Sequence, residues 1–144
     1  MIELITTFFY IGYLPLMPGT WISLVGVFLY LIFDKNPIYF GLLGLFIILG
    51  FLLCGKAEEI FGKKDPKFIV IDDLVGMMLV LGFLPKRFFM LVMGFTIFRI
   101  IDAVKPYPIN RLEKLDGSLG IMLDDLMAAA YAILVMGLFL RLIR

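Results

Sequence analysis

A chain of 144 residues fits one domain and leaves little room for a second. It is 62% hydrophobic, with a mean hydropathy of +1.06, an apolar excess that points to lipid as the solvent and argues against an ordinary soluble domain. A formal net charge of +1 gives no nucleic-acid footprint, and the absence of histidine excludes a Ser-His-Asp triad, a phosphohistidine intermediate and a His-ligated zinc site.

The N-terminus, MIELITTFFYIG, carries an acid where a signal peptide is basic, and no A-x-A cleavage site follows, so no removable leader is expected. Residues 2–13 are apolar but too short to span, which suits an interfacial or re-entrant piece. LPLMPGT (14–20) is a stiff, glycine-bearing turn that feeds a helix at Thr20, with Thr20 as its expected N-cap. Apolar helices are predicted over residues 20–33, 38–54, 69–84, 88–103 and 124–140. No charge occurs in residues 4–33 or 36–55. Each intervening break, DKNP (34–37), KAEEIFGKKDPK (56–67), PKR (85–87) and KPYPI (105–109), contains a proline, which cannot continue a helix.

The expected architecture is therefore all-α: a small polytopic membrane bundle of about five spans plus the short N-terminal piece, residues 1–144 forming one domain. A 14-residue span reaches only about 21 Å against a hydrocarbon core of about 30 Å, so some ends must extend into the polar motifs or lie in the interface. Segment 56–67 is a candidate helical extension of the second span. Gly19 with Ser23, and Ala128 with Ala132, are small-residue pairs four apart that allow close helix approach. The single Cys54 excludes an internal disulfide and reads as a small buried hydrophobe. Tyr13, Trp21 and Tyr107 fit an interfacial aromatic belt.

If all five stretches span, Lys and Arg in loops 55–68 and 99–120 face one side, and Lys35, Lys86, Arg87, Arg141 and Arg144 face the other. The first side carries more of them and is assigned to the cytoplasm. LPLMPGT, Asp72 with Asp73, Arg99 to Lys105, and Asp124 with Asp125 then all fall on that face.

Those acids are the chemical signal. An ionised carboxylate beside an apolar helix is costly unless it is paired or binds a metal, and adjacent carboxylates add repulsion. Helix-dipole stabilisation accounts well for Asp124 and Asp125 if they open a helix, less well for Asp72 and Asp73, and not for Asp102 near a helix C-terminus. Oxygen ligands without histidine suit a hard cation such as Mg²⁺. Arg99, Asp102 and Lys105 recur every three residues on one helix face. They read either as an ion-pair ladder or as two cations that hold phosphate oxygens, with Asp102 orienting one of them. Amides at Gly19 and Thr20 suit the same anion, although an ordinary capped turn explains them equally.

LPLMPGT (14–20), IDDLVGMM (71–78), FRIIDAVKPYPI (98–109) and GIMLDDLMA (120–128), in that order, resemble the phosphatidylglycerophosphatase A family over nearly the whole chain. The resemblance implies a small, helical, Mg²⁺-dependent membrane enzyme that removes the terminal phosphate of phosphatidylglycerophosphate. The product would be phosphatidylglycerol, on the cytoplasmic side of the cell (inner) membrane. The chain departs from the family pattern at Asp73 (often Glu), Ile22 (often Gly), Ser118 and Ala129 (commonly Gly).

The expected site has Asp72, Asp73, Asp124 and Asp125 as metal ligands, joined in catalysis by Asp102. Arg99, Lys105, Gly19 and Thr20 are expected to bind the phospholipid substrate. The rival reading is a small transporter or channel subunit that uses membrane carboxylates as a proton or cation relay.

Overall fold

The computed structural model describes residues 1–143; Arg144, counted above in the charge balance, lies outside them. Among the described residues the chain is all-helical: α1 (Ile2–Thr6), a 3-10 turn (Ile11–Tyr13), α2 (Pro18–Phe33), α3 (Pro37–Phe61), α4 (Ile71–Phe83), α5 (Phe88–Val104), α6 (Ile109–Leu112) and α7 (Ser118–Leu142). The five predicted apolar stretches correspond to α2, α3, α4, α5 and α7. The N-terminal apolar piece is not one helix. It turns through Phe8, Phe9 and Tyr10, all at positive φ, and packs along α3.

Helix α4 is the centre of the bundle. Ile71, Leu74, Val75, Met77, Met78, Val80 and Leu81 are all fully buried, against α2, α3, α5 and α7. Two buried tyrosines fasten neighbours to it: Tyr30 on α2 donates to the Leu84 carbonyl at 2.9 Å, and Tyr39 on α3 donates to the Met78 carbonyl at 2.6 Å. Each such bond contributes about 1 kcal/mol net, and losing a partner in an apolar core costs more. The expected seam at Gly19 and Ser23 is satisfied within α2, where Ser23 Oγ donates to the Gly19 carbonyl at 2.8 Å. Helix α2 approaches α4 closely both at Gly19, against Asp73, and at Gly26, where an added Cβ would stand 3.3 Å from the Met77 side chain. The Ala128 and Ala132 pair is fully buried, as expected.

Two helices, α3 and α7, are long and apolar enough to cross a membrane, at 25 residues each. Helices α2, α4 and α5 have 16, 13 and 17 residues, so α4 reaches only about 20 Å. The outer surface is nevertheless apolar: Phe28, Ile48, Leu52, Leu134 and Leu138 are each more than half exposed, a surface suited to lipid contact.

Several boundaries differ from expectation. Helix α3 continues past Cys54 to Phe61, so the charged tract does begin as the helical extension expected of it, and Gly62 then closes it in the left-handed conformation. Helix α7 begins at Ser118, six residues earlier than predicted, because Gly117 at φ +67° turns the chain into it. Helix α2 begins at Pro18 with Met17 at the cap, so Thr20 is in the first turn and is not the N-cap.

Candidate metal and phosphate site

The alternating helices bring the start of α2, the end of α3, the start of α4, the end of α5 and the start of α7 to one end of the bundle. A cavity of about 270 Å³ opens there, lined by Met17, Pro18 and Gly19, by Asp65, Pro66, Lys67 and Ile69, and by Asp72, Asp73, Arg99, Asp102, Lys105, Asp124 and Asp125. All five aspartates singled out in the sequence meet in it, with Gly19, Arg99 and Lys105. Thr20 is not among the lining residues.

The early start of α7 reverses the dipole argument. Asp124 and Asp125 lie two turns into the helix, beyond the first turn where the macrodipole acts, whereas Asp72 and Asp73 occupy the first turn of α4. The pair that capping explained best is the pair it does not explain.

Carboxylate oxygens of Asp72, Asp124 and Asp125 lie within 4.8 Å of one another, and so do those of Asp73, Asp102 and Asp125. Asp125 belongs to both groups. Its Oδ2 atom and Oδ1 of Asp72 are buried and accept no hydrogen bond. Buried carboxylate oxygens rarely go without a partner. An all-oxygen donor set with orphaned atoms fits a hard divalent cation, and the residues present match that requirement.

The cations are less available than the sequence suggested. Arg99 Nη1 bonds the Asp73 carboxylate and lies 3.0 Å from Asp102 Oδ2. Lys105 does not continue that ladder. It sits past the end of α5 at φ +48° and donates to Glu113 at 2.7 Å and to Asp124 at 2.9 Å. Burial works to lower its pKa, but these two bonds outweigh burial and hold the ammonium above the ordinary lysine range.

Asp65, Lys67 and Glu113 were missed in the sequence, because they lie in polar breaks where charge is unremarkable. The one available signal was the Asp-Pro step inside KKDPK. Glu58 organises this region: its carboxylate accepts from the amide of Asp65 at 2.8 Å and of Gly117 at 3.0 Å. Part of Asp65 reaches solvent, yet desolvation on its protein side raises its carboxyl above the usual range. Lys105 opposes that rise, and Glu113 and Glu58 add to it.

Gly19 is required by a close approach. A Cβ there would collide with the Asp73 carboxylate and stand 3.0 Å from Arg99 Nη2. Gly19→Ala is expected to weaken divalent-cation binding by roughly tenfold, as measured by calorimetry, with helix content unchanged by circular dichroism. Two of the family departures are accommodated locally: Ile22 is fully buried, and Ser118 Oγ accepts from the Gly55 amide at 2.7 Å.

The sequence profile described as Phosphatidylglycerophosphatase A matches residues 4–140. A Haemophilus influenzae protein named phosphatidylglycerophosphatase A is 37% identical over 93% of this chain and 85% of its own length. An Escherichia coli protein of the same name is 38% identical over 81% and 70%. A Bacteroides thetaiotaomicron protein, provisionally named a phosphatidylinositol-3-phosphatase, is 30% identical over 92% and 89%. No solved structure matches the chain. On the extent of these matches, the chain belongs to the phosphatidylglycerophosphatase A family.

Proposed function

We propose that this chain, as a single domain, is a Mg²⁺-dependent lipid phosphatase. It hydrolyses the terminal phosphomonoester of phosphatidylglycerophosphate to phosphatidylglycerol and inorganic phosphate. Family membership and the names of the Haemophilus and Escherichia relatives support the activity. The observation that carries the metal requirement is the charge of the cavity wall. Six carboxylates (Asp65, Asp72, Asp73, Asp102, Asp124, Asp125) face three cations (Lys67, Arg99, Lys105), so a phosphate dianion is repelled until divalent charge is added.

Asp72, Asp124 and Asp125 would hold one ion, and Asp73, Asp102 and Asp125 a second. Bound Mg²⁺ supplies neutralising charge for the phosphoryl oxygens and acidifies water for attack on phosphorus. The protein's own groups orient the substrate. Arg99 and Lys105, which line the cavity beside Asp73, Asp102 and Asp124, would orient the phosphate oxygens. Gly19 keeps the wall thin beside Asp73. A water oxygen bonds phosphorus, the bond from phosphorus to the glycerol oxygen breaks, and that oxygen takes one of the water's protons while the other stays on the released phosphate.

The enzyme is placed in the cell membrane with α2, α3, α4, α5 and α7 all crossing and the site at the cytoplasmic face. The apolar outer surface and the Lys and Arg distribution support this topology. Short helices such as α4 are accommodated by local bilayer thinning. A cation relay through the membrane is disfavoured, because residues 126–140 of α7 carry no charge and the acids gather at one end.

Phosphate release from purified protein in detergent is the test. Release from phosphatidylglycerophosphate is expected with Mg²⁺ and is lost in EDTA; equal release in both refutes the metal assignment. The Bacteroides relative motivates a second arm with phosphatidylinositol 3-phosphate, and phosphatidic acid completes the headgroup comparison. Faster turnover of either lipid would reassign the substrate.

A further inference from the structure

The opposite end of the bundle holds a second cavity, of about 560 Å³, lined by three basic residues, Lys35, Arg87 and Arg141, together with Phe83, Leu140 and Ile143. The three cations come from separate parts of the chain: the turn between α2 and α3, the turn between α4 and α5, and the last turn of α7. No described carboxylate lines this cavity. In the turns at this end the one acid is Asp34, which lies 3.5 Å from Lys86, a cation outside the lining. A single cation at the end of an apolar helix needs only water or lipid phosphate nearby. All three are exposed to water, which screens their repulsion, but around one void they add to a local positive potential that favours an anion. The rest of the lining is apolar, and Phe83 and Ile143 remain more than half exposed beside the charges. Basic charge grading into exposed apolar surface at a bundle end matches a phosphate ester carried on a hydrocarbon tail.

We infer that this cavity binds the phosphate of an anionic phospholipid headgroup, with Arg87 and Arg141 as the principal contacts and Lys35 as a third. Arginine suits the role because its planar fork pairs two phosphate oxygens at once. The site is separate from the acidic cavity, and the inference stands whether or not the proposed reaction is correct.

Lipid retention by the full chain in neutral detergent tests it, read by native mass spectrometry and thermal unfolding. The probes are phosphatidylglycerol, phosphatidylcholine and inorganic phosphate. EDTA is present throughout, so that the acidic cavity stays negative and repels anions. Phosphatidylglycerol is expected to be retained and to raise Tm, and phosphatidylcholine is not. The Arg87→Gln/Arg141→Gln variant is expected to lose retention by roughly tenfold or more, while Asp116→Asn, on an exposed side chain that lines neither cavity, keeps it. If the double variant fails to fold, the exposed Lys35→Gln should show a smaller loss. A Tm rise from inorganic phosphate alone would identify a free anion as a sufficient ligand; no rise would identify the lipid-borne phosphate as the one recognised. Equal retention of phosphatidylglycerol by wild type and double variant, or no preference over phosphatidylcholine, overturns the proposal.

Discussion

Asp125→Asn is expected to abolish Mg²⁺-dependent phosphate release while raising the thermal stability of the metal-free protein. The two effects share one cause. Asp125 is 3% exposed, belongs to both groups of oxygens that lie within 4.8 Å, and has an Oδ2 atom without a partner. Without a cation, ionising Asp125 beside Asp72, Asp73 and Asp102 in a poorly solvated wall is costly, and a neutral amide removes that cost. With a cation, the same charge is what both groups use. Turnover should fall on the order of 10²–10³-fold or more, and the rise in Tm that Mg²⁺ gives the wild type should disappear. Asp116→Asn is the control, because that side chain is 97% exposed and paired with Lys64 outside the cavity. A purely structural carboxylate would give the opposite sign in the metal-free protein. A less stable variant that still responds to Mg²⁺ like the wild type would refute the assignment.

Arg99→Gln is expected to destabilise the metal-free protein by about 3–5 kcal/mol, the usual cost of stranding buried charge by removing its partner. Arg99 is 17% exposed, and Asp73 and Asp102 are each 15% exposed, so water does little to replace the guanidinium. Saturating Mg²⁺ should narrow this deficit, since the ion neutralises the same two carboxylates. Activity separates the two roles of the arginine. If Arg99 also meets the phosphate, kcat/KM stays low at saturating Mg²⁺ even where stability has recovered. Full recovery of both would leave Arg99 a structural counter-ion only. Denaturant unfolding and initial rates, each across a Mg²⁺ titration, provide the readouts.

Much of the site was legible because burial makes acids conspicuous. Asp72, Asp73, Asp102, Asp124 and Asp125 stand out against apolar runs, and all five line one cavity. Asp65 did not stand out, because the same residue type in a charged loop costs nothing and so signals nothing. Helix ends were read less well. Thr20 suited a cap, but Pro18 starts the helix two residues earlier. Asp124 suited a helix start, but Gly117 releases the chain into α7 well before it. In each case residues with an unusual backbone preference outweighed the polar side chain that invited the prediction.

The partners of the cations were beyond the sequence for a different reason. Spacing puts Arg99, Asp102 and Lys105 on one face, and the Arg99 to Asp102 pair follows from it. Lys105 instead turns to Glu113 and Asp124, because a left-handed residue ends the helix there and α6 folds Glu113 back towards it. By itself the sequence determined the all-helical class, the apolar exterior and the identity of five of the acids that line the cavity, since these follow from local composition and periodicity. Tertiary structure alone decided that Asp125 is common to two oxygen clusters, that both predicted phosphate cations are already paired, and that three basic residues surround a cavity at the far end. Those are distances between residues remote in the chain, fixed by how helices pack and where they stop.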